Sequence, residues 1–175
     1  IYDRKIMIDL KRKLKNFGAL EVLVISSIFY VVSMLIWTAT TRSEVLQKAN
    51  DIKSNHKSVT DFINETVNNC SSDEEALTSW GEKCNSIWTS EKIVKYVILN
   101  IDLKNPYSID KPLIQTSQDP RIQAEGKAGQ STDKGIIFVS SNNFEPEAGS
   151  EWVIGTCIKS PCVAAGNNEL VSVYR

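Results

Sequence analysis

The stretch FGALEVLVISSIFYVVSMLIWTATTR, residues 17–42, decides the fold. Residues 22–41 carry no charge, and about 20 consecutive apolar residues suffice for a helix to cross a bilayer. Lys and Arg cluster before this run and mixed charge follows it, so the N-terminus is expected in the cytoplasm and the rest outside. We predict a basic leader over 1–16 and a hydrophobic transmembrane helix over 17–41, with Trp37 as an anchor at its outer end.

The composition is that of a folded protein. Of the 175 residues, 42% are apolar and 23% are charged, which excludes a disordered chain. The formal net charge is -1, and the basic residues concentrate before the apolar run. A nucleic-acid-binding protein shows a basic face or stripe, so no nucleic-acid partner is expected.

Beyond Arg42 the apolar residues recur at alternating steps of four and three, which is typical of one helical face. No Pro or Gly interrupts residues 19–69, so we predict that the transmembrane helix continues as an amphipathic helix over 42–69. A helix this long exceeds the usual length of about three turns, and half of it must be buried by something other than its own domain. The predicted face comprises Val45, Ala49, Ile52, His56, Val59 and Ile63.

Residues 70–175 are predicted to form an extracytoplasmic globular domain. Residues 74–80 can hold a short helix, and EKIVKYVILN at 91–100 is either a short helix or a strand. A polar loop is expected to run through Asp119 and Pro120 to Lys134. Predicted strands at 135–140, 151–159 and 169–174 are joined by hairpins into an antiparallel sheet of about three or four strands. The predicted fold class is α+β, with a long N-terminal helix packed on a small antiparallel β-sheet.

All four cysteines lie beyond the apolar run. Of the three possible connectivities, the simplest joins Cys70 to Cys84 and Cys157 to Cys162. Metal binding is the alternative, although neither pair has the C-x2-C spacing of zinc sites. An even number of cysteines beyond a membrane anchor suits an oxidising compartment, so two disulfides and no metal are favoured.

Glu21 is the most informative single residue. An unpaired carboxylate inside an apolar run is costly, and less so near the interface. The residues three and four positions away carry no cation, so its expected partner is a headgroup, water or a cation on another subunit. The simpler alternative is a carboxylate that reaches the headgroup level.

The N-terminal region resembles the type IV pilins, in which a basic leader precedes a hydrophobic helix whose first residue is commonly Phe and whose fifth is Glu. Phe17 and Glu21 stand in this relation, and only this first third carries specific residues. The resemblance implies insertion into the inner membrane, cleavage by a prepilin peptidase before Phe17, and assembly by the pilus machinery into an extracellular filament of copies of the chain. It also implies that Glu21 faces the terminal amine of a neighbouring Phe17.

Other interpretations remain open. Asn16 stands where the family has Gly before the cleaved bond, and with a retained leader Glu21 would pair with Lys13 or Lys15 of a neighbour. The alternative function is a single-span accessory subunit of a membrane complex with an extracytoplasmic sheet domain, and a third is an anchored module that binds small ligands or sugars.

Catalysis finds no support in the sequence. There is no phosphate-binding glycine loop and no HExxH motif, and the lone histidine, His56, has no nucleophile beside it in sequence. His56 is expected to be a partly buried helix residue that faces the globular domain. We predict that the chain is not an enzyme and that it has no catalytic residue and no cofactor.

Overall fold

The computed structural model describes residues 18–72, 75–79, 81–86, 88–125, 134–141 and 151–174. The chain divides into two compact units, Ile1–Glu44 and Val45–Arg175. Helix α1 (Ala19–Ser72, 54 residues) begins in the first unit and ends in the second. The predicted uninterrupted helix is therefore confirmed from Ala19 onward, and the predicted leader lies outside the described residues.

The described part of the first unit is almost entirely helix. Its large apolar side chains are all exposed, from 40% at Ile25 to 75% at Leu20. By length and composition this helix is able to span a membrane.

The second unit buries one face of α1. From Ala49 onward the predicted apolar face is confirmed, and it continues through Val67 to Cys70. Val45, at its predicted start, is 49% exposed. The buried face therefore begins one helical turn later than the periodicity suggests.

Four strands form one sheet in the order β1-β2-β3-β4. The pairings β2–β3 and β3–β4 are antiparallel, as the predicted hairpins require. The pairing β1–β2 is parallel, so the sheet is mixed and the wholly antiparallel prediction is wrong at this edge. A parallel pair needs a long crossover, which here contains the short helix α3 (Pro120–Glu125). The strands are β1 (Ile114–Thr116), β2 (Ile137–Ser141), β3 (Glu151–Cys157) and β4 (Asn168–Tyr174).

Strand β3 is covered on both faces. Ile154 belongs to the same hydrophobic core as the buried face of α1. The next residue, Gly155, points to the opposite face, where α3 lies. A Cβ at Gly155 would come within 2.7 Å of the Pro120 carbonyl oxygen and 3.0 Å of the Ala124 Cβ. The missing side chain therefore allows α3 to approach the sheet closely.

Residues 91–100, for which helix and strand both fitted the sequence, are helical. Helix α2 (Ser90–Asn100) starts at Thr89, whose side chain accepts a hydrogen bond from the Lys92 amide at 3.2 Å. Its buried residues, Ile93 and Val97, are four positions apart and pack toward β1 and β2.

The short helix predicted at 74–80 is not found in residues 75–79. Leu77 instead pairs with Lys83 in an antiparallel bridge, and Gly81 turns the chain between them with a φ of 85°. The Thr78 amide donates to the Glu82 carbonyl at 2.7 Å and the Cys84 amide donates to the Ala76 carbonyl at 2.9 Å, so these backbone groups are bonded across the turn and not within a helix.

Candidate membrane and assembly surface

The apolar half of α1, residues 19–44, is the largest exposed apolar surface among the described residues. Its only charged residues are Glu21, Arg42 and Glu44, which lie near its two ends. Exposed apolar patches of this extent mark protein or membrane contacts. This surface is the candidate functional site.

Serine and threonine hydroxyls in the apolar half bond to the helix that carries them. The Ser27 hydroxyl donates to the Val24 carbonyl at 2.8 Å, and the Thr38 hydroxyl donates to the Met34 carbonyl at 3.0 Å. An unsatisfied hydroxyl in an apolar medium costs several kcal/mol, so these bonds suit a surrounding without water. The same arrangement holds for Ser26, Thr40, Thr41 and Ser43.

Glu21 lies in the first turn of α1 and reaches back to its start. The Gly18 amide donates a hydrogen bond to Glu21 Oε2 at 2.9 Å, and the Gly18 carbonyl accepts from the amides of Glu21 and Val22 at 3.0 and 3.2 Å. This is one half of a capping box, with the acid at the positive end of the helix dipole.

The interpretation that Glu21 has no partner on its own helix is therefore incomplete. The neighbouring side chains offer no cation, and the partner of Glu21 on its own helix is the backbone amide of Gly18. One neutral amide uses one of about four acceptor positions on a carboxylate and leaves its charge in place. The remaining acceptor positions can bind a cation from outside the helix.

No match was found to any protein-family model, curated protein or solved structure. The chemistry of the chain's own residues is therefore the basis for a functional assignment. Of the two residues singled out for processing and assembly, Glu21 is described, whereas Phe17 lies outside the described residues. A contact between Glu21 and a terminal amine at Phe17 stays a prediction.

Two disulfides hold the second unit, and they join the cysteines in the predicted pairs. Cys70, near the end of α1, bonds to Cys84, and Cys157, at the end of β3, bonds to Cys162. Disulfides form and persist in oxidising compartments, which indicates an extracytoplasmic location for this unit. Among the described residues, no group of three or more His, Cys, Asp or Glu is arranged to hold a metal.

His56 is a buried residue at the contact between α1 and β3, in agreement with its structural interpretation. It is 3% exposed, and its Nε2 donates to the Ile154 carbonyl oxygen at 3.3 Å. Burial lowers the pKa of His56, and the bond to Ile154 and the charge of Glu169 oppose this shift only in part. The neutral imidazole therefore acts as a polar contact between helix and sheet.

A cluster around Glu82 was not predicted from the sequence. Glu82 accepts a hydrogen bond from the Tyr96 hydroxyl at 2.7 Å and pairs with Lys92 at 3.2 Å. The Tyr96 hydrogen bond is the main reason why the pKa of Glu82 is lowered. The sequence shows that Lys92 and Tyr96 are four residues apart, a spacing that places them one turn apart on a helix. Nothing in the sequence indicates that the disulfide loop brings Glu82 to these two residues. The cluster attaches this loop to α2.

Proposed function

We propose that the chain is a structural subunit of an extracellular filament of the type IV pilus kind. The observation that carries the proposal is the division of α1. Its second half uses its apolar face in the core of the second unit, whereas residues 19–44 have an equally apolar surface with no cover from the described residues. Copies of the chain would supply that cover.

Burial of the apolar half keeps the assembled subunit's helix out of water in this proposal. Full burial of one large aliphatic or aromatic side chain stabilises a protein by about 1.5–3 kcal/mol. Side chains such as Leu23, Phe29 and Leu35 are each more than 60% exposed, so several of them together strongly favour an apolar surrounding, lipid or filament core, over water. Before assembly the lipid of the inner membrane covers the same surface.

Glu21 sets the stagger between subunits in this proposal. Its carboxylate is exposed at the start of the helix and keeps acceptor positions that the Gly18 amide does not use. A terminal amine on a neighbouring copy would supply the missing cation. Such a pair is strong only where neighbouring helices exclude water, so it would select one register over others.

The remaining steps follow from the same proposal. The N-terminus starts in the cytoplasm, a prepilin peptidase cleaves the leader, and the pilus assembly machinery adds the subunit to a helical filament outside the cell. The second unit, held by its disulfides, forms the outer surface of that filament.

A single-span accessory subunit of a membrane complex is the second candidate. The capped carboxylate and the internally bonded hydroxyls favour it, because such a helix leaves few polar groups to be satisfied by another chain. In that case lipid and partner chains, rather than sister copies, cover residues 19–44.

Shearing and mass spectrometry test the proposal. A filament subunit is released from cells by shear as high-mass fibres free of lipid, and its chain begins at Phe17, with the N-methylation of the new amine that the resemblance to the pilins implies. Extraction only in detergent, together with other chains and with an intact basic leader, would overturn the filament and support the accessory subunit.

A further inference from the structure

The apolar half of α1 carries two aromatic side chains that end in a hydrogen-bond donor. Tyr30 and Trp37 are 67% and 69% exposed. Within the described residues, neither the Tyr30 hydroxyl nor the Trp37 indole N–H has a hydrogen-bond acceptor. Ser26, Ser27 and Thr38, by contrast, donate to carbonyls of their own helix. The two aromatic donors are therefore left to be satisfied from outside the chain.

Tyr30 lies in the middle of the apolar run, where neither water nor its own backbone satisfies the hydroxyl. It stands nine residues after Glu21 and twelve before Arg42. At 1.5 Å per residue these separations are about 14 and 18 Å, too long for the side chain to reach either end. Membrane tyrosines are normally found at the interface, and a hydroxyl without a partner in hydrocarbon is costly. The aromatic ring also holds the Tyr30 hydroxyl away from the carbonyls of α1, so the partner must come from another chain.

A serine four residues before each aromatic donor provides a matching acceptor. Ser26 precedes Tyr30, Ser33 precedes Trp37, and the two pairs are seven residues apart. The Ser26 hydroxyl donates its only proton to the Leu23 carbonyl at 3.0 Å, so the lone pairs of its oxygen are free to accept.

The spacing of these pairs suits two helices side by side. Residues four apart share one helical face, and a seven-residue repeat keeps successive pairs on one seam between helices that wind around each other. Small side chains such as Ser26 let two helices approach closely within a membrane. Helical side chains lean toward the N-terminus, so the Tyr30 hydroxyl lies level with the preceding turn, which contains Ser26. In a parallel pair without stagger, that level holds the Ser26 of the neighbouring helix.

We propose that two copies of the chain pair in parallel through this face of α1 in the membrane, with the Tyr30 hydroxyl of each copy donating to the Ser26 hydroxyl oxygen of the other. A second copy fits because a symmetric pair uses both donors and both acceptors at once. The same pairing brings each Trp37 indole N–H to the Ser33 of the other copy. The pair rests on the proposed function in that sister copies cover residues 19–44, but it needs only two copies in lipid and no filament.

Förster transfer between full-length chains in phosphatidylcholine vesicles tests the pair. Donor and acceptor dyes are attached at Val163→Cys, an exposed position of the second unit, and dilution with lipid gives a Kd for pairing. Tyr30→Phe removes only the hydroxyl and should raise this Kd by about tenfold, since two interhelical hydrogen bonds are lost. Ser26→Ala should have a similar effect. The matched control Thr38→Val removes a hydroxyl that is bonded within its own helix and should leave the Kd unchanged.

The double variant identifies the acceptor. If Tyr30 and Ser26 bond to each other across the pair, combining Tyr30→Phe with Ser26→Ala should weaken pairing no more than either change alone. Additive effects, or a Tyr30→Phe variant that pairs as tightly as the unchanged helix, overturn the proposal. All substituted positions are exposed, and circular dichroism checks that each variant keeps its helix.

The same variants separate the pair from the filament. Pairing that depends on Tyr30 in vesicles, found together with a subunit that cells release only in detergent, would overturn the filament and support the pair. Sheared filaments from cells, found together with vesicle pairing that Tyr30→Phe does not change, would overturn the pair and support the filament.

Discussion

The Gly18 amide and the Glu21 carboxylate are joined by a hydrogen bond of 2.9 Å across the first turn of α1. The bond gives Glu21 two separable roles. As an acceptor it caps the helix, and as a charge it is available to a cation from another chain. An isosteric amide keeps the first role and removes the second.

Glu21→Gln and Glu21→Ala separate these roles. If the charge sets the stagger between subunits, both variants should insert into the membrane normally and fail to assemble fibres. Loss of the cap alone costs about 0.5–2 kcal/mol of helix stability, and Gln retains an acceptor for the Gly18 amide. Sheared fibres are counted by electron microscopy, and insertion is measured by membrane fractionation. Normal fibres from Glu21→Gln would contradict the role of the charge, and fibres lost only in Glu21→Ala would show that the cap matters.

A charge in the middle of the apolar half should prevent its burial. Ile28→Lys places an ammonium group where Ile28 is 57% exposed, and a cation at the centre of a membrane helix costs about 2.5–3.5 kcal/mol on insertion scales. We expect reduced insertion and no fibres, measured by the same fractionation and microscopy. The matched control, Val163→Lys, puts the same charge on an exposed residue of the second unit and should leave both unchanged. Full insertion of the Ile28→Lys variant would contradict a membrane-spanning role for residues 19–44.

The stability of the second unit should fall as the pH drops below about 6.5. Burial holds the pKa of His56 below its ordinary value of 6.5, so the unfolded chain binds the proton more readily than the folded one. The contribution of the neutral His56 to stability is therefore fully present above about pH 6.5. Below that pH it decreases, by at most about 1.4 kcal/mol per pH unit, until the folded-state pKa of His56 is reached.

Thermal unfolding of the full chain between pH 7.5 and 5.5 measures this effect. His56 is the chain's only histidine, so His56→Gln should remove the slope in that interval even if it lowers the melting temperature overall. The nearby Glu169 carboxylate favours the charged imidazole. Glu169→Gln removes this carboxylate and should therefore steepen the fall in stability with decreasing pH. A slope that is identical in the wild type and His56→Gln would exclude His56 as its source.

The two disulfides should differ in their contribution to stability. The Cys70–Cys84 bond spans 14 positions and the Cys157–Cys162 bond spans 5. Loop-closure entropy gives about 3 kcal/mol for the longer loop and about 2 kcal/mol for the shorter one.

Paired Cys→Ser replacements test this order by denaturant unfolding under oxidising and reducing conditions. Replacing Cys70 and Cys84 should lower the free energy of unfolding more than replacing Cys157 and Cys162. Replacing Cys157 and Cys162 should mainly loosen the segment between β3 and β4. The wild type under oxidising conditions, with both disulfides intact, is the reference for both. The reverse order would mean that native-state contacts of the shorter loop outweigh chain entropy.

The sequence predicts the parts of the fold that depend on long, regular patterns. The run without Pro or Gly predicted α1, and the spacing of Ala49, Ile52 and Val59 predicted its buried face. The hairpin strands β2 to β4 followed from β-branched and aromatic runs. Glu21 was recognised because a carboxylate is unusual in such surroundings.

The short elements could not be predicted. Ile114–Thr116 is too brief for a periodic pattern, and it becomes a strand because β2 offers it a parallel partner. Pro120–Glu125 forms a helix over Gly155, and that contact depends on residues that are distant in sequence. The cap at Gly18 was missed because the donor is a backbone amide, which has no signature in the sequence.

The hydroxyls of Ser27, Thr38 and their neighbours carry their hydrogen bonds with them. In the proposed assembly, residues 19–44 would pass from lipid to a filament core, and none of these bonds would have to break and no new acceptor would have to be found. This transfer would replace the apolar contacts with lipid by apolar contacts with sister helices. Its equilibrium constant would therefore be closer to 1 than the apolar area buried in either state suggests. In the proposed assembly, a subunit with such a helix would therefore be stored in lipid and withdrawn from it at small net cost.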